Sequence, residues 1–127
     1  PFTEYIEQAN RERFVIVQIE DPEVLPDLDA ICQLDGIDVV FFGPGDFSHS
    51  IGYPGQLNHP EVSRVRKLIA DTCRKYGKVA GTVSGSKENI QELVAMGYRF
   101  LNSGSDVHAL STFWKQTRAN FDAVLNK

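Results

Sequence analysis

A parallel α/β fold is the class this sequence predicts, on two observations. Four short apolar, β-branched or aromatic runs alternate with amphipathic stretches, and each run is apolar throughout rather than at every second position. The alternation gives parallel strands joined by right-handed crossovers. Continuous apolar runs belong to strands covered on both faces.

The runs are Phe14 to Ile19, Ile37 to Phe42, Val79 to Val83, and Phe100 with Leu101. The residues from Glu4 to Asn10 read as the tail of an earlier helix. Pro26 to Leu34 carries Leu28 and Ile31 on one face and stops at Gly36, as helices commonly do. The next helix opens at His59-Pro60, with proline in the first helical position. It continues through Val62, Val65, Leu68, Ile69 and Cys73 at a spacing of three and four, and stops at Gly77. Ser86 is placed to cap a third helix, with Ile90, Leu93 and Val94, which ends at Gly97. A fourth runs from about Val107 to Leu125 and bears Leu110, Phe113, Trp114, Phe121 and Val124. Its aromatic face reads as core, or as a subunit interface. Two architectures fit this order equally: four units of a (β/α)8 barrel, or a small open doubly wound sheet.

The 127 residues suit one domain, with 42% of them apolar. They are too few for a whole (β/α)8 barrel, which takes roughly 250. The chain opens at Pro1 rather than Met, so a segment of a longer protein is expected. The net charge is −4 and the pI about 5.3. Without a basic stripe, nucleic acid and anionic membrane surfaces are excluded as partners. Cys32 and Cys73 have no CxxC spacing and no ligand cluster nearby, and read as small buried residues. With no signal peptide and no apolar stretch of membrane-spanning length, the expectation is a cytoplasmic protein.

In either architecture function gathers where the strands end. The first strand ends at Glu20, followed by Asp21-Pro22, and the second at Gly43-Pro44-Gly45-Asp46. Neighbouring strands lie roughly 4.8 Å apart, so Glu20 and Asp46 can converge on one ion. Two carboxylates with the remaining positions left to water or substrate oxygen suit Mg²⁺ or Mn²⁺. The glycines around Pro44 let backbone approach a ligand and turn N–H groups toward it. A plainer reading stands beside this one. Asp21 caps a helix begun by Pro22, and Asp46 caps the turn after the glycine loop.

Motifs at these positions resemble the HpcH/HpaI aldolase family. They are Ile19-Glu20-Asp21-Pro22-Glu23, Leu28-Asp29-Ala30-Ile31, Gly36-Ile37-Asp38, and Phe42-Gly43-Pro44-Gly45-Asp46-Phe47-Ser48 with Ile51-Gly52. His59-Pro60-Glu61-Val62, Gly77-Lys78 and Gly97-Tyr98-Arg99-Phe100 extend the match over nearly the whole chain. The resemblance implies the C-terminal half, about four βα units, of a TIM (β/α)8 barrel, with residues 1–127 forming one partial domain. It implies Glu20 and Asp46 as ligands of a divalent metal, Mg²⁺ or Mn²⁺, and the backbone of Gly45 and Asp46 as holder of a pyruvate carboxylate. The implied reaction cleaves a 4-hydroxy-2-oxo acid to pyruvate and an aldehyde, in a homo-oligomer (trimer or hexamer). The metal acts there as a Lewis acid on the enolate, and no lysine Schiff base is required.

The family's catalytic Arg and His belong to the N-terminal half, so no catalytic residue is assigned in this chain. Two positions depart from the pattern: Gly45 stands for Ala or Ser, and Phe47 for Leu, where it is expected to reshape the aldehyde side of the pocket. His49 reads as pocket-lining or as a surface loop residue, His59 as the end of a loop, and His108 as the opening of the last helix. Asp106 reads as that helix's cap, and Ser84 and Ser103 have no base at a recognisable spacing. Two alternatives remain: a small-anion-binding α/β domain without catalysis, and a citrate-lyase-type C–C lyase. Half a barrel also leaves two strand edges and its interior uncovered.

Overall fold

The strands of this chain form one parallel sheet in sequence order, and that order decides between the two architectures. The computed structural model describes residues 1–125. Strands β1 (Ile16–Ile19), β2 (Val39–Phe42), β3 (Val79–Ser84) and β4 (Phe100–Ser103) pair as β1-β2-β3-β4. Helices α1 (Phe2–Glu12), α2 (Leu28–Gln33), α3 (Pro44–Ser50), α4 (Pro60–Tyr76), α5 (Lys87–Met96) and α6 (Asp106–Leu125) precede, link and follow them. A doubly wound sheet reverses its strand order and covers both faces. Here only one face is covered. Ile19, Val40, Phe42, Ala80 and Thr82 lie buried beneath helices, whereas Ile16, Val79 and Val83 on the other face are exposed.

The uncovered face is concave. The rings of Phe14, just before β1, and Phe100, on β4, have centroids 6.1 Å apart. Four flat strands would hold these edges about 14 Å apart, at roughly 4.8 Å per pair. The sheet therefore curls as a barrel wall does. Phe41 packs on Phe100 at 6.2 Å within the curve. Gly81 lies beneath both, where a Cβ would sit 2.8 Å from Phe41 Cδ2. Ile16, Gln18, Phe41, Phe100 and Asn102 line an open cavity of about 410 Å³ in this hollow.

Local chemistry places the helix ends where the sequence predicts them. His59 Nδ1 accepts from Glu61 N–H ahead of Pro60, and Ser86 Oγ accepts from Asn89 N–H. Gly77 and Gly97 end α4 and α5 at φ 68° and 114°, values costly for a residue with a Cβ. The segment after β1 differs in kind: Pro22–Asp27 is a 3-10 turn capped by the Asp21 carboxylate, and α2 begins only at Leu28. The last helix is capped by Ser105, whose Oγ accepts from His108 N–H at 3.2 Å; Asp106 is already helical.

Further expectations are corrected. Residues 44–50, read as part of a loop, form α3, and its turn carries Phe47 inward to pack edge-on against Phe42, ring centroids 5.4 Å apart. Phe47 is fully buried in the core, so it does not shape a substrate pocket. On α6 no residue is buried, and Phe113, Trp114 and Phe121 are about 60% exposed. That face is therefore not core among the described residues.

The core itself lies between the convex sheet face and α2, α4 and α5, and includes Leu28, Val62, Val65, Ile69, Leu93 and Tyr98. Cys32 and Cys73 are both buried in it as expected. Their thiols face one another, and burial pushes both up, Cys73 to about 12. At neutral pH they stay protonated and unreactive.

Unpaired outer edges on β1 and β4 beside an apolar hollow are a template for association. The 127-residue polypeptide on its own is expected to self-associate, eluting above monomer size with light-scattering detection. A monomer that unfolds in one cooperative step would contradict this.

Candidate functional site

The register of the first two strands sets the site. Ile19 pairs with Phe42, so the next residues, Glu20 and Gly43, emerge side by side at the C-terminal ends of β1 and β2. Gly43 N–H donates to Ile19 O at 2.9 Å and ties the two exits together. Glu20 is half-buried against the Gly43 backbone. A Cβ at Gly43 would lie 3.1 Å from Glu20 Oε2 and 2.8 Å from Gln18 Nε2, so any larger residue here displaces both side chains.

Gln18 completes the near side of this arrangement. Two residues before Glu20 on a strand, it points to the same concave face, and its Nε2 donates to Glu20 Oε2. It fixes one carboxylate oxygen without neutralising the charge. Sequence reasoning passed over Gln18; the period of two along β1 was the signal that could have found it.

Asp46 stands in the first turn of α3, three residues beyond Gly43, and is exposed. It is not a cap: Gly43 occupies the N-cap position, with no side-chain cap bond. The capping reading of Asp21, in contrast, holds, since its Oδ1 accepts from Glu23 N–H at 2.8 Å. The two readings of the Glu20-Asp21 pair are thus compatible: Asp21 starts the turn and Glu20 is left for other work. Among the described residues, neither Glu20 nor Asp46 is in an ion pair with Lys, Arg or His. Among those residues no group of three or more Asp, Glu, His or Cys is placed to hold a metal ion.

Such a donor set fits a hard divalent cation in part. Two uncompensated carboxylates at adjacent strand ends supply oxygen ligands and charge, and leave the remaining positions to water or substrate. The N–H groups of Gly45 and Asp46 precede the first amide bonded within α3, Phe47 N–H to Gly43 O at 3.0 Å. His49 lies exposed in the last turn of α3. Ser84, Gly85, Ser103, Gly104, Ser105 and His108 line an open groove of about 550 Å³ at the ends of β3 and β4. All of these features lie at the C-terminal end of the sheet.

Residues 2–112 match the model of the HpcH/HpaI aldolase/citrate lyase family. The chain belongs to that family. It is 40% identical over 120 residues to 2-keto-3-deoxy-L-rhamnonate aldolases of Salmonella schwarzengrund and Salmonella typhimurium, covering 94% of this chain and 45% of each relative. The chain thus spans about half the length of the curated relatives it matches. An HpcH/HpaI aldolase from Desulfitobacterium hafniense superposes with a TM-score of 0.85 at 28% identity, over 96% of this chain and 48% of the other. The citrate synthase SbnG superposes at 0.89 with 26% identity, over the whole of this chain and 52% of its own. The curled four-strand sheet is accordingly half of a (β/α)8 barrel.

The crowding at Gly43 and the open space at Gly45 make opposite expectations for one methyl group. In the protein as its gene encodes it, Gly43→Ala is expected to weaken Mn²⁺ binding about tenfold, by displacing Glu20 and its Gln18 partner. Gly45→Ala, where a Cβ meets nothing within 4 Å, is expected to leave it unchanged. Calorimetric titration with Mn²⁺ measures both; equal effects would contradict the geometry.

Proposed function

We propose that this chain is the metal- and pyruvate-binding half of a metal-dependent aldolase that cleaves a 4-hydroxy-2-oxo acid to pyruvate and an aldehyde. The observation that carries the reading is the pair of uncompensated carboxylates, Glu20 against Gly43 and Asp46 one loop away, at the same end of the sheet. Membership in a family of aldolases and citrate lyases supports it. So does the likeness to curated 2-keto-3-deoxy-L-rhamnonate aldolases.

Glu20 and Asp46 would hold the cation, Mg²⁺ or Mn²⁺ by the hardness of the donors. When bound it supplies Lewis acidity that stabilises the negative charge left as the C3–C4 bond breaks. The chain's own groups do the rest of the binding. The N–H groups of Gly45 and Asp46 receive the substrate carboxylate, and the Gln18 amide keeps the Glu20 carboxylate turned to the concave side. The proton-handling Arg and His are assigned to the complementary half of the barrel. A small-molecule 2-oxo acid and aldehyde are then the partners, in a cytoplasmic homo-oligomer. No helix among the described residues is long and apolar enough to cross a membrane.

A second reading is favoured by one finding: the likeness to SbnG, whose name is that of a citrate synthase. It makes the same pair serve C–C chemistry on a different acceptor. Pyruvate release separates the two. With Mg²⁺ or Mn²⁺ present, the encoded protein is expected to release pyruvate from a 4-hydroxy-2-oxo acid. Glu20→Ala is expected to lower kcat/KM by about 1000-fold, the equivalent of roughly 4 kcal/mol of transition-state stabilisation. Lactate dehydrogenase-coupled assay measures it. Absence of pyruvate from every such acid, together with Mn²⁺ binding that survives Glu20→Ala, would overturn the reading.

A further inference from the structure

The passage from β2 into the first turn of α3, which carries Asp46, is pinned at both ends by buried hydroxyl groups. At its entry, the peptide between Phe42 and Gly43 is held from two strands. Its N–H donates to Ile19 O on β1 at 2.9 Å, and its carbonyl accepts from Thr82 Oγ1 on β3 at 3.0 Å. Thr82 is wholly buried. The register that pairs Phe42 with Thr82 brings the hydroxyl to this carbonyl. At the exit, the peptide between Gly45 and Asp46 is held by Ser48, also wholly buried. Ser48 Oγ donates to Gly45 O at 2.6 Å and accepts from Gly55 N–H at 3.0 Å. The same hydroxyl thereby clasps the following loop onto α3.

Each hydroxyl acts on a peptide whose N–H belongs to a site residue. Thr82 fixes the plane that bears the Gly43 amide, against which Glu20 rests. Ser48 fixes the plane that bears the Asp46 amide. Between the two pinned planes lie the torsions of Gly43, of Pro44, with its φ locked by the ring, and of Gly45. A Cβ at Gly45 would meet nothing within 4 Å, so no side-chain packing holds this position. Two side chains that touch neither carboxylate thus hold Asp46 relative to Glu20, together with the backbone bonds of Gly43 N–H to Ile19 O and Phe47 N–H to Gly43 O.

We propose that Thr82 and Ser48 are positioning residues for the Glu20–Asp46 pair, and that divalent-cation affinity depends on their hydroxyls. The inference rests on the metal-binding reading of that pair. Removing partners that orient ligands costs about 10–100-fold in metal affinity, and the lower end applies here because neither hydroxyl bonds a ligand oxygen directly.

The test is Mn²⁺ affinity, by electron paramagnetic resonance of free Mn²⁺, in the encoded protein and in Thr82→Val, Thr82→Ser, Ser48→Ala and Glu20→Gln. Valine keeps the shape of threonine and removes only the hydroxyl; serine keeps the hydroxyl. Thr82→Val and Ser48→Ala are each expected to weaken Mn²⁺ about tenfold, while Thr82→Ser binds as the parent does. Unchanged affinity in Thr82→Val, with binding lost in Glu20→Gln, would overturn the positioning role and leave the metal site standing. Unchanged affinity in Glu20→Gln would overturn both. Should Ser48→Ala fail to fold, the isosteric Thr82→Val pair decides alone.

Discussion

The structure depends on one pairing: Ile19 beside Phe42, and Phe42 beside Thr82, across three parallel strands. A slip of one residue would send every side chain of a strand to the opposite face. Glu20 would then leave the concave end of the sheet, and Gly43 would no longer give it space. The same register buries Ile19, Phe42 and Thr82 on the convex side. Core packing and site geometry are consequences of one alignment. The hydrophobic term that fixes the register therefore also fixes where the carboxylates emerge.

Curvature is the second consequence. Helices cover one face only, and the rings of Phe14 and Phe100 meet across the hollow. Apolar residues on the uncovered face, such as Ile16 and Phe41, have no helix over them, as befits the inside of a barrel wall. The chain spans about half the length of its curated relatives, and the hollow is where the rest of a barrel would close. Glu20 follows β1 at the C-terminal end of the sheet, and Asp46 stands in the first turn of α3 after β2.

Most of the fold was legible because its signals are local. Continuous apolar runs marked all four strands, and Gly77 and Gly97 marked helix ends that their positive φ explains. The two open architectures were separable only by strand order and by which face the helices cover, both of them long-range facts. The helix α3 escaped because it is only seven residues long and its opening Pro44 stands between two glycines, which read as a loop. With it went the inward turn of Phe47 and Ser48. Of the two readings of the α6 face, core is set aside by its exposure; an apolar helical stripe tells that something covers it, not what. At the site, Glu20 and Asp46 were visible as acids after strands. Gln18 and Thr82 were not, because their importance comes from a neighbour reached through the fold.

The central claim is that Glu20 and Asp46 act on one ion rather than as two independent surface acids. A double-mutant cycle on Mn²⁺ affinity in the encoded protein, with Glu20→Gln, Asp46→Asn and the two combined, tests it most directly. If the pair shares a cation, each single change removes nearly as much binding as the double does, and a single Mn²⁺ equivalent is lost. Additive effects, or an unaltered affinity in either single variant, would contradict the account.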